Sequence, residues 1–213
     1  MKQILKDEQY LTIACPVEYE INIKRSRFIA SLRSISNRNE FEETLKKIST
    51  LYPKANHYCW AYRLIGNPVL EHGSDAGEPS GSAGRPMLGA LKKNSLLSVM
   101  AVVTRYYGGI KLGVSGLISA YGNVTNQAIL NAEIIVKEPM AIFDFACSYE
   151  IYNLLLDLLK RHQVSSEHVD ANFGEIISGE FNIPLKEIAM LITEFDELKY
   201  RGYLTYRQKM INL

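Results

Sequence analysis

The chain has 213 residues and a formal net charge of +1, a length that allows one large domain or two small ones. Apolar residues make up 47% and charged residues 22%, which is typical of globular proteins and excludes disordered and fibrous classes. No apolar run approaches the roughly 20 residues of a membrane-spanning helix, and the N-terminal stretch, with acids at Asp7 and Glu8, is not typical of a secretory signal. Three widely spaced cysteines without a C-x-x-C pair argue against disulfides and structural zinc, and predict a reducing, cytoplasmic location.

The first part of the chain has the pattern of a mixed α and β domain. Alternating apolar residues predict strands over 17–24, 27–35 and 57–65. A capping box formed by Asn37 and Glu40 predicts a helix between the last two strands.

The next segments are a loop, a short helix, a buried strand and a longer helix. Residues 66–85 are predicted to form a long loop, and loops of that length are usually functional or disordered. A short helix over 86–93 is predicted to stop at Asn94 in the left-handed conformation. The apolar run 95–107 predicts a strand covered on both faces, and the apolar spacing that follows predicts a helix to about Asn131.

The segment KEPM (137–140) marks a predicted domain boundary, so that residues 1–138 and 139–213 form separate units. The predicted order of the second unit is strand, helix, strand, strand, helix, strand. The predicted strands cover about 141–149, 164–173, 175–183 and 201–211, with Gly174 as a hairpin turn and Pro184 opening the second helix. This order is the β-α-β-β-α-β, or ferredoxin-like, unit.

The charges are divided unevenly between these two parts. Residues 1–138 hold 17 Lys/Arg against 12 Asp/Glu, and residues 139–213 hold 7 against 11. A basic first domain joined to an acidic second one is typical of a surface that faces nucleic acid or phosphate, although an ordinary solvated surface explains so mild an excess equally well.

Residues 74–85, SDAGEPSGSAGR, combine turn-forming residues with charged side chains. The turn formers are Gly77, Pro79, Gly81 and Gly84. In one interpretation Arg85 and exposed amides bind an anion, and in a second Asp75 and Glu78 are weak candidates for an acid–base pair. In a third, the loop is simply well ordered, and its acids bind its own amides or neutralise Arg85 and Arg105. No base–nucleophile arrangement is visible, so no catalytic residue is assigned.

Residues 105–113, RYYGGIKLG, lie between a predicted strand and a predicted helix. Three glycines let the chain turn and present amides at the helix start: Gly108, Gly109 and Gly113. The segment matches neither nucleotide-binding fingerprint. Arg105 and Lys111 supply positive charge, and Tyr106 or Tyr107 is predicted to stack on bases unless the rings serve the core.

The histidines and cysteines do not form a regular metal-binding pattern. His57 and Cys59 are predicted to share one face of a strand, with His72 downstream, but the spacing supplies no third or fourth ligand. We therefore predict no metal site and no cofactor, and we interpret His162 and His168 as surface residues.

Four motifs together resemble the signature of the IMPACT family in its bacterial two-domain, YigZ-like form. They are KRSRFIA (24–30), HYCWAYR (57–63), SDAGEPSGSAGRPML (74–88) and VVTRYYGGIKLGVSGLISAY (102–121). The resemblance implies an α+β fold, with an N-terminal ribosomal protein S5 domain 2-like domain and a ferredoxin-like C-terminal domain similar to an end domain of elongation factor G. It also implies a role linked to translation, because eukaryotic relatives act in the control of initiation.

Three positions depart from the family pattern. Ala76 stands where the family commonly has a second acid, which weakens the acid–base interpretation. Ser119 stands where an Arg is common, which removes one possible phosphate contact. Tyr107 replaces a Phe, which is a mild change.

The leading hypothesis is a non-catalytic regulatory protein that binds RNA, the ribosome or a translation-associated partner through its basic domain. The expected contact residues are Lys24, Arg25, Arg27, Arg85, Arg105, Tyr106, Tyr107 and Lys111. One alternative is an enzyme or a small-anion or nucleotide-binding protein with a pocket between loops 74–85 and 105–113. Another is a protein-interaction module whose acidic C-terminal domain recruits a basic partner.

Overall fold

The computed structural model describes residues 9–66, 68–162, 164 and 168–212. The acids at Asp7 and Glu8 and residues 165–167 of a predicted strand lie outside these ranges. The described chain divides into two compact units, one spanning Tyr10–Lys137 and one that begins at Glu138.

The first unit contains seven strands and three helices. The strands β1–β7 are Tyr10–Ile13, Val17–Ile23, Ser26–Ser34, His57–Leu64, Leu70–Ser74, Val99–Tyr106 and Ile134–Lys137, and the helices α1–α3 are Arg38–Leu51, Gly84–Lys93 and Gly113–Leu130. Five strands form one antiparallel sheet in the order β2-β3-β6-β4-β5, while β1 and β7 pair separately.

The five-stranded sheet is covered on both faces, because its central strands alternate two sets of apolar side chains. Phe28, Cys59 and Ala101 pack with α2 and α3 in one buried cluster. Met100 and Val102 point to the opposite face and pack with α1. Successive residues of one strand therefore lie on opposite sides of the sheet, which decides which functional side chains can meet.

The second unit contains four strands and two α-helices. The strands β8–β11 are Met140–Cys147, Val169–Phe173, Ile177–Pro184 and Leu204–Asn212, and the helices α4 and α5 are Tyr149–Arg161 and Ile188–Tyr200. The antiparallel order is β11-β8-β10-β9, with a short 3₁₀ turn before α5. Phe143, Phe181 and Phe195 lie at the centre of its core. The predicted α+β class, with a ferredoxin-like second domain, is confirmed.

Two local predictions in the first unit are wrong. Residues 70–74, assigned to a loop, form β5, an edge strand whose sequence LEHGS lacks apolar alternation because it is largely exposed. Asn94 is not left-handed, since its φ is −93°. The chain reverses one residue later at Ser95 (φ 54°), where the Ser95 amide donates to the Lys92 carbonyl and the Leu96 amide to the Leu91 carbonyl.

The prediction that His162 lies on the surface is also wrong. His162 is buried at the end of α4, where Nε2 lies 3.0 Å from a carboxylate oxygen of Glu194 and Nδ1 lies 3.5 Å from one of Glu187. Both acids come from the region of α5, so no local spacing in the sequence reveals them. His168, in contrast, is exposed.

Candidate functional site

One end of the five-stranded sheet collects the segments that the sequence singled out. The β2–β3 turn at Lys24 and Arg25 lies at this end, as do the end of β6 and the start of β4, where His57 is paired with Arg105. Strand β5 also ends here and leads into loop 74–85. The fold thus brings the two glycine-rich loops to the same edge.

Loop 74–85 is organised around the Asp75 carboxylate. One of its oxygens accepts hydrogen bonds from the amides of Ala83 (2.8 Å) and Gly84 (2.9 Å), and the other accepts one from Gly81 (2.7 Å). Burial raises the pKa of Asp75, but these three amides outweigh it and hold the pKa below its usual value. The amides at the start of α2, which the sequence suggested for an external anion, are therefore occupied by the chain's own carboxylate.

The second acid of the loop lies at the centre of a buried polar cluster. Arg105 donates from Nη1 to Glu78 Oε1 at 2.5 Å, and the Tyr121 hydroxyl donates to the same oxygen at 2.7 Å. The side chains of Glu78 and Arg105 are only 4% and 6% exposed. His57 Nε2 lies 4.0 Å from the same oxygen. The ion pair between Glu78 and Arg105 joins loop 74–85 to the end of β6.

The Glu78–Arg105 pair corrects two expectations, one about an exposed Arg105 and one about an acid–base pair. Arg105 is buried and paired, so its guanidinium does not lie on the surface where an RNA phosphate contact was expected. Asp75 and Glu78 have separate partners and do not form an acid–base pair. Tyr121 lies on the apolar face of the helix predicted to end near Asn131, and nothing in the sequence indicated its hydroxyl contact, because that contact depends on a loop 43 residues away.

The neighbouring thiol and phenol are held in their neutral forms. Burial raises the pKa of the Cys59 thiol to about 12. Burial also raises the pKa of Tyr121 far above its usual value, and Cys59 and Glu78 beside it add to that effect. Neither group is available as an anionic nucleophile near neutral pH.

The predicted pair His57 and Cys59 does share one face of β4, and both residues tie loop 74–85 to the sheet. His57 Nδ1 donates to the Ala76 carbonyl at 2.9 Å, and the Cys59 thiol donates to the Asp75 carbonyl at 2.9 Å. His72 lies opposite Tyr62, on the other face of the sheet. Within the described residues no group of His, Cys, Asp or Glu is arranged to hold a metal ion.

Loop 105–113 packs tightly against the β2–β3 turn. A Cβ atom at Gly108 would lie 2.1 Å from the Arg25 carbonyl oxygen, so only glycine fits there. Gly84 makes a similarly close approach, since a Cβ would lie 2.6 Å from the Ser74 amide nitrogen. The other predicted loop glycines, Gly77, Gly81, Gly109 and Gly113, all have positive φ.

The predicted cations differ in what surrounds them. Lys24, Arg25, Arg85 and Lys111 are exposed, and among the described residues none of them forms an ion pair with an acid. Arg27 pairs with a carboxylate, that of Glu20, at 2.8 Å.

The two predicted stacking residues lie in different surroundings. The Arg27 guanidinium lies 5.7 Å from the ring centre of Tyr106, and the Tyr106 hydroxyl donates to the Pro53 carbonyl at 3.0 Å. Tyr107 is 42% exposed, and its ring centre lies 5.3 Å from the Arg105 guanidinium. The eight predicted contact residues therefore do not form one continuous surface.

Two acids on the face of the second sheet opposite Phe143 and Phe181 are paired with cations. Asp144 pairs with Arg207 (3.1 Å) and Lys209 (3.4 Å), and Glu180 pairs with Lys209 at 2.5 Å. These pairs reduce the charge that this face could offer to a basic partner. No helix in the described parts of the chain has both the length and the apolar character needed to cross a membrane.

Comparison with known proteins identifies relatives both in sequence and in structure. The family model "Impact N-terminal domain" matches residues 24–129. The chain is 35% identical over 209 residues to the Bacillus subtilis IMPACT family member YvyE, covering 95% of each, and 37% identical over 145 residues to Escherichia coli YigZ, covering 67% of this chain and 71% of YigZ. A crystal structure of a hypothetical protein has a TM-score of 0.67 at 29% identity, covering 95% of this chain and 98% of that one.

Proposed function

Because the chain belongs to the IMPACT family, we propose that it is a non-catalytic, cytoplasmic regulatory protein linked to translation that binds RNA through one end of its N-terminal sheet. The family membership supports the link to translation. The excess of Lys and Arg in residues 1–138 and the unpaired cations at the sheet end support the RNA contact.

The proposed RNA contact rests on one observation, the backbone conformation of the β2–β3 turn. The strands are joined by only two residues, Lys24 and Arg25, and their φ angles are 44° and 67°. A two-residue hairpin with positive φ at both positions favours Asn-Gly, because side chains with a Cβ are strained there by about 1 kcal/mol or more. Two long cationic side chains thus occupy positions where they weaken the fold, which supports a role for the charges themselves.

The packing around the turn fixes where these charges lie. Gly108 presses its backbone against Arg25, so the turn and loop 105–113 hold each other in place. Lys111 follows in that loop and is exposed. Lys24, Arg25 and Lys111 would contact phosphates, while buried Arg105 would act by fixing the loop.

The experiment distinguishes the effect of the two charges on RNA binding from their effect on the stability of the fold. We expect the double variant Lys24→Asn/Arg25→Gly to raise the free energy of unfolding by about 1 kcal/mol, because the turn loses its strain. We expect the same variant to bind single-stranded RNA about 10-fold more weakly at low salt, because two phosphate contacts are lost.

The matched control is Lys46→Gln/Lys47→Gln, which removes two positive charges from α1. Its affinity for RNA should stay within about twofold of the original protein if the contact is local. The proposal is wrong if the unsubstituted protein shows no affinity for RNA at low salt, or if both double variants lose affinity equally.

A second candidate is a small-anion or nucleotide-binding protein, or an enzyme, with its site between loops 74–85 and 105–113. It is favoured by the convergence of His57, Glu78, Arg105 and Tyr121. The same contacts count against it, because Glu78 and Arg105 neutralise each other. Thermal unfolding with pyrophosphate or mononucleotides tests it: a concentration-dependent rise in melting temperature that Glu78→Gln abolishes would favour this candidate.

A further inference from the structure

We propose that Tyr107 is a preformed stacking site for one unpaired base of single-stranded RNA. This inference rests on the proposed RNA-binding function and names the part of the nucleic acid that the sheet end recognises. It adds contact with a base to the phosphate contacts of Lys24, Arg25 and Lys111.

One face of the Tyr107 ring is already covered by a rigid layer. The Arg105 guanidinium lies 5.3 Å from the Tyr107 ring centre and 5.2 Å from that of Phe28, so it is held between the two rings. Glu78 fixes the same guanidinium, and Phe28 is fully buried. Tyr107 as a whole residue is 42% exposed, so part of it remains accessible to a ligand.

The backbone that carries this ring is fixed as well. The Tyr107 amide donates to Asn56 Oδ1 at 2.8 Å, and the Asn56 amide donates to the Arg105 carbonyl at 2.9 Å. The next amide, of Gly108, donates to Ser26 Oγ at 3.2 Å. A ring held in place before the ligand arrives costs little conformational entropy on binding.

Tyr106 does not offer the same surface. It alternates with Arg105 along β6 and so points to the opposite side of the sheet, where it is opposite Arg27. Its hydroxyl donates to the Pro53 carbonyl, and Tyr106 is less exposed than Tyr107. The structure thus selects one of two adjacent tyrosines that the sequence could not distinguish.

The chemistry of the ligand follows from the combination of the Tyr107 ring with cations at the same end of the sheet. An aromatic ring beside cations binds single strands, because an unpaired base stacks on the ring while its phosphates meet the cations. A base within a duplex is already stacked on both faces and cannot do so. Loss of one such stack typically weakens binding by about 5- to 150-fold.

The test measures binding of the full chain to a single-stranded RNA of about 10 nucleotides by fluorescence anisotropy. Tyr107→Ala should weaken binding by at least about fivefold, whereas Tyr107→Phe should retain it, because the phenyl ring still stacks. Tyr200→Ala is the control, since Tyr200 is 94% exposed but lies in the second unit. Tyr107→Ala should leave the slope of log affinity against log salt unchanged, because no phosphate contact is lost.

A second measurement uses the unsubstituted protein, so it does not depend on the folding of a variant. An abasic RNA of the same length and charge should bind at least about fivefold more weakly than the normal strand. Equal binding of the normal strand, the abasic strand and duplex RNA would overturn the stacking site while leaving the proposed function intact. Absence of all RNA binding at low salt would overturn both.

Discussion

The buried ion pair between Glu78 and Arg105 predicts a large and specific loss of stability when either partner is removed. Glu78→Ala leaves the Arg105 guanidinium buried without its carboxylate and deprives the Tyr121 hydroxyl of its acceptor. Breaking a buried pair by removing one partner typically costs about 3–5 kcal/mol, and Arg105→Ala should cost a similar amount.

The double variant Glu78→Ala/Arg105→Ala distinguishes this pair from two independent contacts. Because the second substitution removes the charge that the first leaves uncompensated, the double variant should cost about 4–6 kcal/mol rather than the 6–10 kcal/mol expected from addition. Such nonadditivity is expected when each side chain of a buried pair compensates the charge of the other.

The assay follows urea unfolding of the full chain by tryptophan fluorescence. Trp60 is the single tryptophan and lies in β4 of the first unit, 4.7 Å from the ring centre of Phe41, so its emission reports on the unit that contains the pair. Single costs below about 1 kcal/mol, or costs that simply add, would refute the reasoning and would mean that Arg105 is free to bind a ligand.

Three further predictions concern the packing of the first unit. Asp75→Asn should cost about 1–2 kcal/mol at neutral pH, and this cost should shrink as pH falls below the ordinary pKa of an aspartate. The lowered pKa of Asp75 gives stability that is present above its ordinary pKa and lost as pH falls through the folded value; urea unfolding across pH measures this. Gly108→Ala should cost more than about 2 kcal/mol, since its Cβ would lie 2.1 Å from the Arg25 carbonyl oxygen, and an unchanged melting temperature would contradict the close packing. A thiol reagent should modify exposed Cys15 quickly and Cys59 only after unfolding, because Cys59 is buried and its pKa is about 12; mass spectrometry of the native protein checks the order.

Much of the fold could be predicted because its strands and helices carry regular apolar patterns. Alternation identified β2, β3 and β4, an apolar run identified β6, and helical spacing of apolar residues with a capping box identified helices. Strand β1, a segment of only four residues, was not predicted, and neither were β5 and β7, which are mostly exposed and lack that alternation. Their existence depends on pairing with β4 and β1, which is a property of the tertiary structure.

The site was predicted in composition but not in arrangement. One of the three interpretations of the loop was that its acids bind its own amides or neutralise Arg105, and this is the arrangement found, but the sequence did not show which acid does which. Glu78 pairs with Arg105, 27 positions away, while Asp75 binds its own loop. The spacing of Arg105 and Tyr106 implies only that adjacent residues of a strand point to opposite faces. It did not show which face was buried, because the covering helices come from distant parts of the chain.

The role of the β2–β3 turn is tested most directly by the salt dependence of RNA binding by the original protein and by Lys24→Asn/Arg25→Gly. For single-stranded RNA between about 50 and 200 mM salt, the double variant should have a slope of log affinity against log salt about 1.4 less steep, since two phosphate contacts each contribute about 0.7. The Lys46→Gln/Lys47→Gln control should keep the original slope. Identical slopes for all three proteins would contradict the claim that the strained turn between β2 and β3 binds RNA.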